Sequence, residues 1–259
     1  MKNHIFSQLT KYAPLTKELI SRDLKVKYRR SILGYLWSLL NPLMMMAIMS
    51  MVFSRMFRFQ IPNFPLYLIC GQTLWSFLSE STNAAMYSVI QNSSLIKKVY
   101  IPKYIFPLSR VFSSFVTTSF SLVAILIVLA FSKVTVGWTI LLFPIPVIFL
   151  LFFCMGIGMV LSAVSVYFRD VVHLYGVISL AWMYVTPLFY SLENVPEDVR
   201  GLILINPMYY YITFFRNVVI NNIVPDLSTW LICVTCSALS MLVGITVFRK
   251  LQNNFILYV

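Results

Sequence analysis

Long uncharged apolar runs alternate along the chain with short polar breaks. Ile32 to Phe53 carries no charged residue and follows a dense cationic run of Lys25, Lys27, Arg29 and Arg30. Each of these cations would cost about 2.5–3.5 kcal/mol at the centre of a membrane helix. The run after them is long enough to cross a hydrocarbon core of about 30 Å. The change at Arg30 therefore marks a membrane surface. The same pattern predicts an all-α polytopic membrane protein, one transmembrane domain over 1–259. Its six transmembrane helices fall at about 32–54, 66–90, 107–131, 139–167, 172–191 and 228–248. Gly156 and Gly158, in the fourth span, permit close helix contact. Residues 195–224 are apolar but broken by P-E-D-V-R-G, N-P-M and Arg216. Each piece is too short to span, which predicts two short outer re-entrant or interfacial helices between spans 5 and 6. Residues 1–14 read as a polar leader ending at Pro14. Leu15, Leu19, Ile20, Leu24 and Tyr28 then share one helical face, which predicts an N-terminal amphipathic interface helix over 15–30.

Composition removes the soluble classes. The 259 residues are 59% hydrophobic and 11% charged, with mean hydropathy +0.83, against about 25% charged residues in soluble domains. The net charge of +12 does not call for nucleic acid. Fifteen of the 20 Lys and Arg fall on the side that holds 1–30, the breaks after spans 2 and 4, and the residues after span 6. That bias predicts a multi-pass membrane protein with both termini cytoplasmic. The first apolar run is too long for a signal-peptide core and has no small-x-small site after it.

Candidate chemistry is sparse. Cys70, Cys154, Cys233 and Cys236 lie inside apolar runs and read as reduced packing residues. The C-x-x-C at 233–236 has no second pair or nearby histidine to complete a metal site. His4 and His173 are far apart, and the acids are too scattered for a catalytic carboxylate pair. No G-x-x-x-x-G-K-[ST] is present to cradle ATP phosphates, so no catalytic site and no cofactor bound by this chain are expected. Glu80 stands alone as an ionisable group well inside a predicted span, where it must be paired, neutral or wet.

Several motifs occur in order along the whole chain. They are K-Y-R-R-S-I-L-G-Y-L-W-S-L-L-N-P-L at 27–43, L-I-K-K-V-Y-I-P-K-Y-I-F-P-L-S at 95–109, Y-F-R-D-V at 167–171, T-P-L-F-Y-S at 186–191 and N-P-M at 206–208. Together they resemble the membrane subunits of polysaccharide and polyol-phosphate ABC exporters, which include O-antigen, capsule, rhamnan and teichoic-acid export permeases. The resemblance implies a homodimer of six-span subunits above two ABC ATPase subunits, which bind ATP and Mg. A lipid-linked glycan would pass between the two permeases, among membrane lipids. Leu95, Lys97, Lys98, Tyr100, Pro102, Arg169 and Asp170 would contact the ATPase. A permease for a drug or other small amphiphile is the alternative within the same transport class. A secondary transporter would need coupling-ion sites, and a membrane glycosyltransferase would need clustered acids; neither is visible.

Two stripes are candidates for the substrate path. Tyr175, Ser179, Trp182, Thr186 and Phe189 fall at one helical face of span 5, where aromatics interleaved with hydroxyls suit sugar rings. Leu33, Trp37, Met44, Ile48 and Met51 form a matching stripe in span 1, with methionine as adaptable surface.

Overall fold

The computed structural model describes residues 2–29, 31–56, 61–99 and 101–258. Its helices are α1 (Lys2–Lys27), α2 (Trp37–Met56), α3 (Phe64–Gln91), α4 (Ser93–Lys98), α5 (Ile105–Phe131), α6 (Pro144–Tyr167), α7 (Val171–Val185), α8 (Glu197–Ile205), α9 (Pro207–Arg216), α10 (Leu227–Leu251) and α11 (Phe255–Tyr258). No strand is present among the described residues. Arg30, Arg58 and Tyr100, which the sequence reading used, lie outside them.

The helix ends follow local chemistry. Asn63 adopts a left-handed conformation (φ 51°) before α3, and Pro65 occupies its first turn, where the missing N–H costs nothing. Pro144 opens α6 in the same way. Gly34, at φ 51°, turns the chain between α1 and α2, a conformation that glycine adopts without steric cost. The first long helix therefore starts at Trp37, after a tight turn over Gly34–Leu36, rather than at residue 32. Pro14 does not end the leader: α1 is continuous from Lys2 to Lys27 with Pro14 inside it.

Two ends of the molecule can be told apart by their contacts. At the base, Leu19 of α1 joins Ile96, Ile105, Phe106, Val166, Phe248 and Phe255 in one apolar cluster. Lys103 donates to the Gln252 carbonyl (2.6 Å), and Tyr167 Oη donates to the Leu251 carbonyl (2.7 Å). At the top, Tyr67 Oη donates to the Tyr190 carbonyl (2.8 Å), and Thr139 donates to the Val218 carbonyl (3.0 Å). Between these ends α2, α3, α5, α6, α7 and α10 run alternately up and down.

Among the described residues, four stretches are long and apolar enough to cross a membrane: Gly34–Phe53, Ile105–Phe131, Trp138–Tyr167 and Leu227–Asn254. Helix α3 is longer than α2 but carries Gln72, Ser76, Glu80, Asn83 and Gln91. It is the central helix, packed against α2, α5, α6 and α9; Gln72 and Asn83 are half-buried there, while Ser76, Glu80 and Gln91 are exposed. Helix α7 is shorter than the expected span 172–191. Thr186 is extended (ψ 128°) ahead of Pro187, because a residue before proline avoids the helical region. At 1.5 Å per residue α7 rises about 22 Å.

Helices α6 and α10 make the closest crossing. A Cβ built on Gly156 would lie 2.2 Å from the Ser240 carbonyl carbon, and one on Gly244 would lie 2.5 Å from the Gly156 oxygen. Ser237 and Ser240 of α10 donate across this crossing to the Phe149 and Phe153 carbonyls, each at 2.8 Å. Small residues at a crossing let backbones approach this closely.

Candidate functional site: coupling turns, an arginine clamp and a polar cleft

Two charged turns face outward at the base. Helix α4 buries Ile96 in the basal cluster and leaves Lys97, Lys98 and Val99 exposed, with Leu95 half-buried. Val99 is extended and ends the helix, and half-buried Pro102 leads into α5. The second turn, between α6 and α7, exposes Phe168, Arg169 and Asp170. Its neighbour Tyr167 belongs to the same basal cluster as Leu95, so one apolar base supports both turns. Lys103, beside them, lies 5.5 Å from the Phe255 ring centre, and burial lowers its pKa below the usual lysine value.

Helix α1 is tied to this base by charge. Asp23 accepts from Arg110 of α5 at 3.3 Å and from Arg22 at 3.3 Å. Arg22 also donates to Asn92 (3.2 Å), and Arg110 donates to Gln91 (3.0 Å). One turn further along α1, Lys27 Nζ lies 2.5 Å from Glu80 Oε1. Glu80 is thus ion-paired and partly wet, its side chain 43% exposed, and the burial penalty anticipated for a lone carboxylate does not arise.

Above the base, the span-5 stripe turns inward. Tyr175 is buried, its hydroxyl 2.7 Å from that of Thr82. Ser179 is buried. Trp182 donates to Asn206 Oδ1 (2.7 Å) and meets Trp75 and Phe153 edge-on. Thr186 is fully buried and accepts from Asn206 Nδ2 at 2.8 Å. Phe189, beyond the end of α7, stacks on Phe53 at 5.2 Å. The expected five-residue helical face is therefore broken after Val185, and its members pack within one protomer. The opposite side of α7 is open at Leu174, Val177, Ile178, Leu180 and Tyr184. The span-1 stripe is outward as expected of a surface: Leu33, Trp37, Met44, Ile48 and Met51 are all exposed.

Asn206 explains the N-P-M motif. Its side chain accepts from Met208 N (3.0 Å) and so caps α9, with Pro207 as the first helical residue. It also links α9 to Trp182 and Thr186. The bend between α8 and α9 lies level with Trp75, eleven residues down α3. Helix α9 then climbs to the top, six of its ten residues buried and the rest half-buried.

Arg216, at the end of α9, was legible in the sequence only as an outer-side charge. It is 6% exposed. Nε and Nη2 donate to the Tyr67 carbonyl (3.2 and 3.1 Å), Nη1 to that of Pro187 (2.8 Å) and Nη2 to that of Leu188 (3.1 Å). The guanidinium carbon sits 3.4 Å from the Tyr67 ring centre. Gly71 makes the room, since a Cβ there would come within 2.5 Å of Nη2.

A polar cleft of about 200 Å3 opens between the end of α1, α2, α3 and α5. Trp37, Asn41, Gln72, Thr73 and the Lys27–Glu80 pair line it, with hydroxyls from α5. Nothing in the sequence joined these residues; Trp37 stood out only as part of the span-1 stripe and Glu80 as a charge, whose partner is 53 positions away.

A family model described as ABC-2 type transporter matches residues 14–220. The chain belongs to the ABC-2 type transporter family. It is similar to the O-antigen export system permease protein RfbA of Klebsiella pneumoniae, 31% identical over 242 residues that cover 92% of both chains. A protein of the same description from Myxococcus xanthus is 29% identical over 251 residues, 96% of both. The capsule polysaccharide export inner-membrane protein CtrC of Neisseria meningitidis serogroup A is 22% identical over 245 residues, 91% of this chain and 90% of the relative. The exposed basal turns, the capped bend at Asn206 and the Arg216 clamp all lie within the region matched by the family model.

Proposed function

We propose that the chain is the transmembrane subunit of an ATP-driven exporter for a cell-surface polysaccharide, working as a homodimer with two separate ABC ATPase subunits. The observation that carries this reading is full-length similarity to polysaccharide export permeases, joined to two charged turns held outward on a single rigid base. In this reading α2, α3, α5, α6, α7 and α10 are six spans, with the base and both termini in the cytoplasm. The excess of Lys and Arg on that side supports the orientation. The less apolar α3 crosses among α2, α5 and α6, and the shorter α7 crosses at the edge of the protomer, with Tyr175 and Ser179 its buried residues. The dip of α8 and α9 from the top supports a re-entrant pair, in which α9 packs into protein while α8 buries only Ile203 and satisfies its backbone as a helix.

Leu95, Lys97, Lys98 and Pro102, with Arg169 and Asp170, are proposed to dock the ATPase, along with Tyr100. The substrate path is proposed between two copies. The outward stripe of Trp37, Met44, Ile48 and Met51 and the open side of α7 would face it. Tyr175, Ser179, Trp182, Thr186 and Phe189 would shape it from behind, by holding α7 against α3 and α9. Lipid-linked glycan is the proposed cargo. Deleting the chain tests this: lipid-linked glycan should accumulate on the cytoplasmic side and surface glycan should vanish, both reversed by the intact gene. Normal surface glycan in the deletion strain would overturn the assignment.

A further inference from the structure

We infer that the cleft between α1, α2, α3 and α5 binds a neutral polyhydroxylated ring, one saccharide unit of the exported polymer; the inference rests on the export reading above. Among the described residues, four buried side-chain polar atoms have no hydrogen-bond partner, and two of them, Gln72 Oε1 and Thr73 Oγ1, belong to residues lining this cleft. Thr73 is 3% exposed. Its neighbours show how unusual this is. Thr117, Thr118 and Ser121 each donate to a backbone carbonyl, the ordinary way a helix satisfies a buried hydroxyl. Buried polar atoms without partners are rare enough to require a reason, and a ligand that returns the hydrogen bonds is one.

Chemistry narrows the ligand. Lys27 and Glu80 neutralise each other at 2.5 Å, so the cleft offers donors and acceptors without net charge. A phosphate would meet the Glu80 carboxylate, and a cation would meet Lys27. Gln72, Thr73 and Asn41 present amide and hydroxyl groups that exchange hydrogen bonds with ring hydroxyls. Trp37, 42% exposed, adds a flat apolar face. The volume of about 200 Å3 equals the liquid share of roughly six or seven waters, room for one ring and no folded polymer. This cleft lies inside one protomer, behind α2, and adjoins the path proposed between two copies only at Trp37, which lines both.

Thiol accessibility in the full-length chain, assembled with its ATPase, is the test. Ser76→Cys, exposed in the cleft, and Gln72→Cys are placed in a background whose four native cysteines are replaced, and a charged methanethiosulfonate reagent is applied to inverted membrane vesicles. Vesicles come from cells that make the glycan and from cells blocked at its first synthetic step. Both positions should label in glycan-free vesicles and about tenfold more slowly with glycan present, the slowing given by a site nine parts in ten occupied. Asn254→Cys, exposed between α10 and α11, should label alike in both. In the native-cysteine chain, Thr73→Val should export about fivefold more slowly at unchanged membrane level, the scale of one lost neutral hydrogen bond. Equal labelling in the two vesicle sets, no labelling in either, or an undiminished rate for Thr73→Val overturns the inference. Surface glycan from the wild-type chain in the same cells separates the two readings. Export with an unprotected cleft sinks the cleft alone, and no export from the wild type sinks the function.

Discussion

Replacing Arg216 by alanine should loosen the whole top of the molecule. The side chain makes four hydrogen bonds to three carbonyls in two segments, the first turn of α3 and the break after α7, and so ties both to the end of α9. Each hydrogen bond from a charged donor contributes about 1.5–3 kcal/mol net, and stacking on Tyr67 at 3.4 Å adds about 1–2 kcal/mol when desolvated. Against these stands the desolvation cost of a guanidinium, which is several kcal/mol when it is buried. Truncation recovers that cost but leaves three carbonyls without their donors. The balance is a loss of about 3–5 kcal/mol, the range seen when one partner of a buried polar set is removed. At about 2–4 °C per kcal/mol for a chain of this size, the midpoint should fall by roughly 10 °C. Lysine should recover only part of this, because an ammonium is a point donor that cannot span three carbonyls while stacking on a ring. Heating detergent-solubilised protein and measuring the monodisperse fraction by size-exclusion chromatography reads the midpoint. A midpoint for Arg216→Ala within about 2 °C of wild type, less than 1 kcal/mol, would show that these contacts do not hold the top together.

Three further outcomes are expected. Gly244→Val should disrupt the α6–α10 crossing at a cost of about 2–4 kcal/mol, since the clash is with Gly156 backbone that cannot turn aside; a normal melting midpoint would contradict the close approach. Lys97→Glu combined with Lys98→Glu should release or uncouple the ATPase in co-purification, and unchanged association with unchanged export would refute docking at α4. In a cysteine-free background, Ser179→Cys and Thr186→Cys should resist a water-soluble thiol reagent in the resting protein, because both positions are buried within the protomer; rapid labelling of either would show that this side of α7 opens to water.

Much of the architecture was legible because membrane burial writes long uniform runs. Helices α5 and α10 cover the runs expected at 107–131 and 228–248, since charge and proline mark their ends. The base was legible as two charged breaks. Less legible was any feature set by contacts between distant segments. The pattern carried span 5 to residue 191, although Thr186-Pro187 contained the signal for an earlier end. The stripe through Tyr175 and Trp182 is real as a periodicity on α7, but periodicity alone does not say whether a face meets a path or a neighbouring helix. Here Thr82 and Asn206 claim it. Glu80 stood out as a charge in an apolar run, yet its partner Lys27 comes from a helix that hydropathy placed flat on the membrane surface. Arg216 counted as one more cation outside, when it is the side chain that fastens α9 to α3. Gln72 and Thr73 carried no signal at all, because a missing hydrogen bond becomes visible only once the neighbours are in place.

The central claim is that this chain moves a polysaccharide when a separate ATPase supplies the energy. Proteoliposomes containing the chain, its partner ATPase and radiolabelled lipid-linked glycan on the ATPase-facing side test it most directly. The account predicts that added ATP makes the glycan protected from an external glycosidase, and that neither an ATPase unable to hydrolyse ATP nor ATPase alone achieves this. Glycan protected at the same rate without ATP, or without this chain, would contradict it.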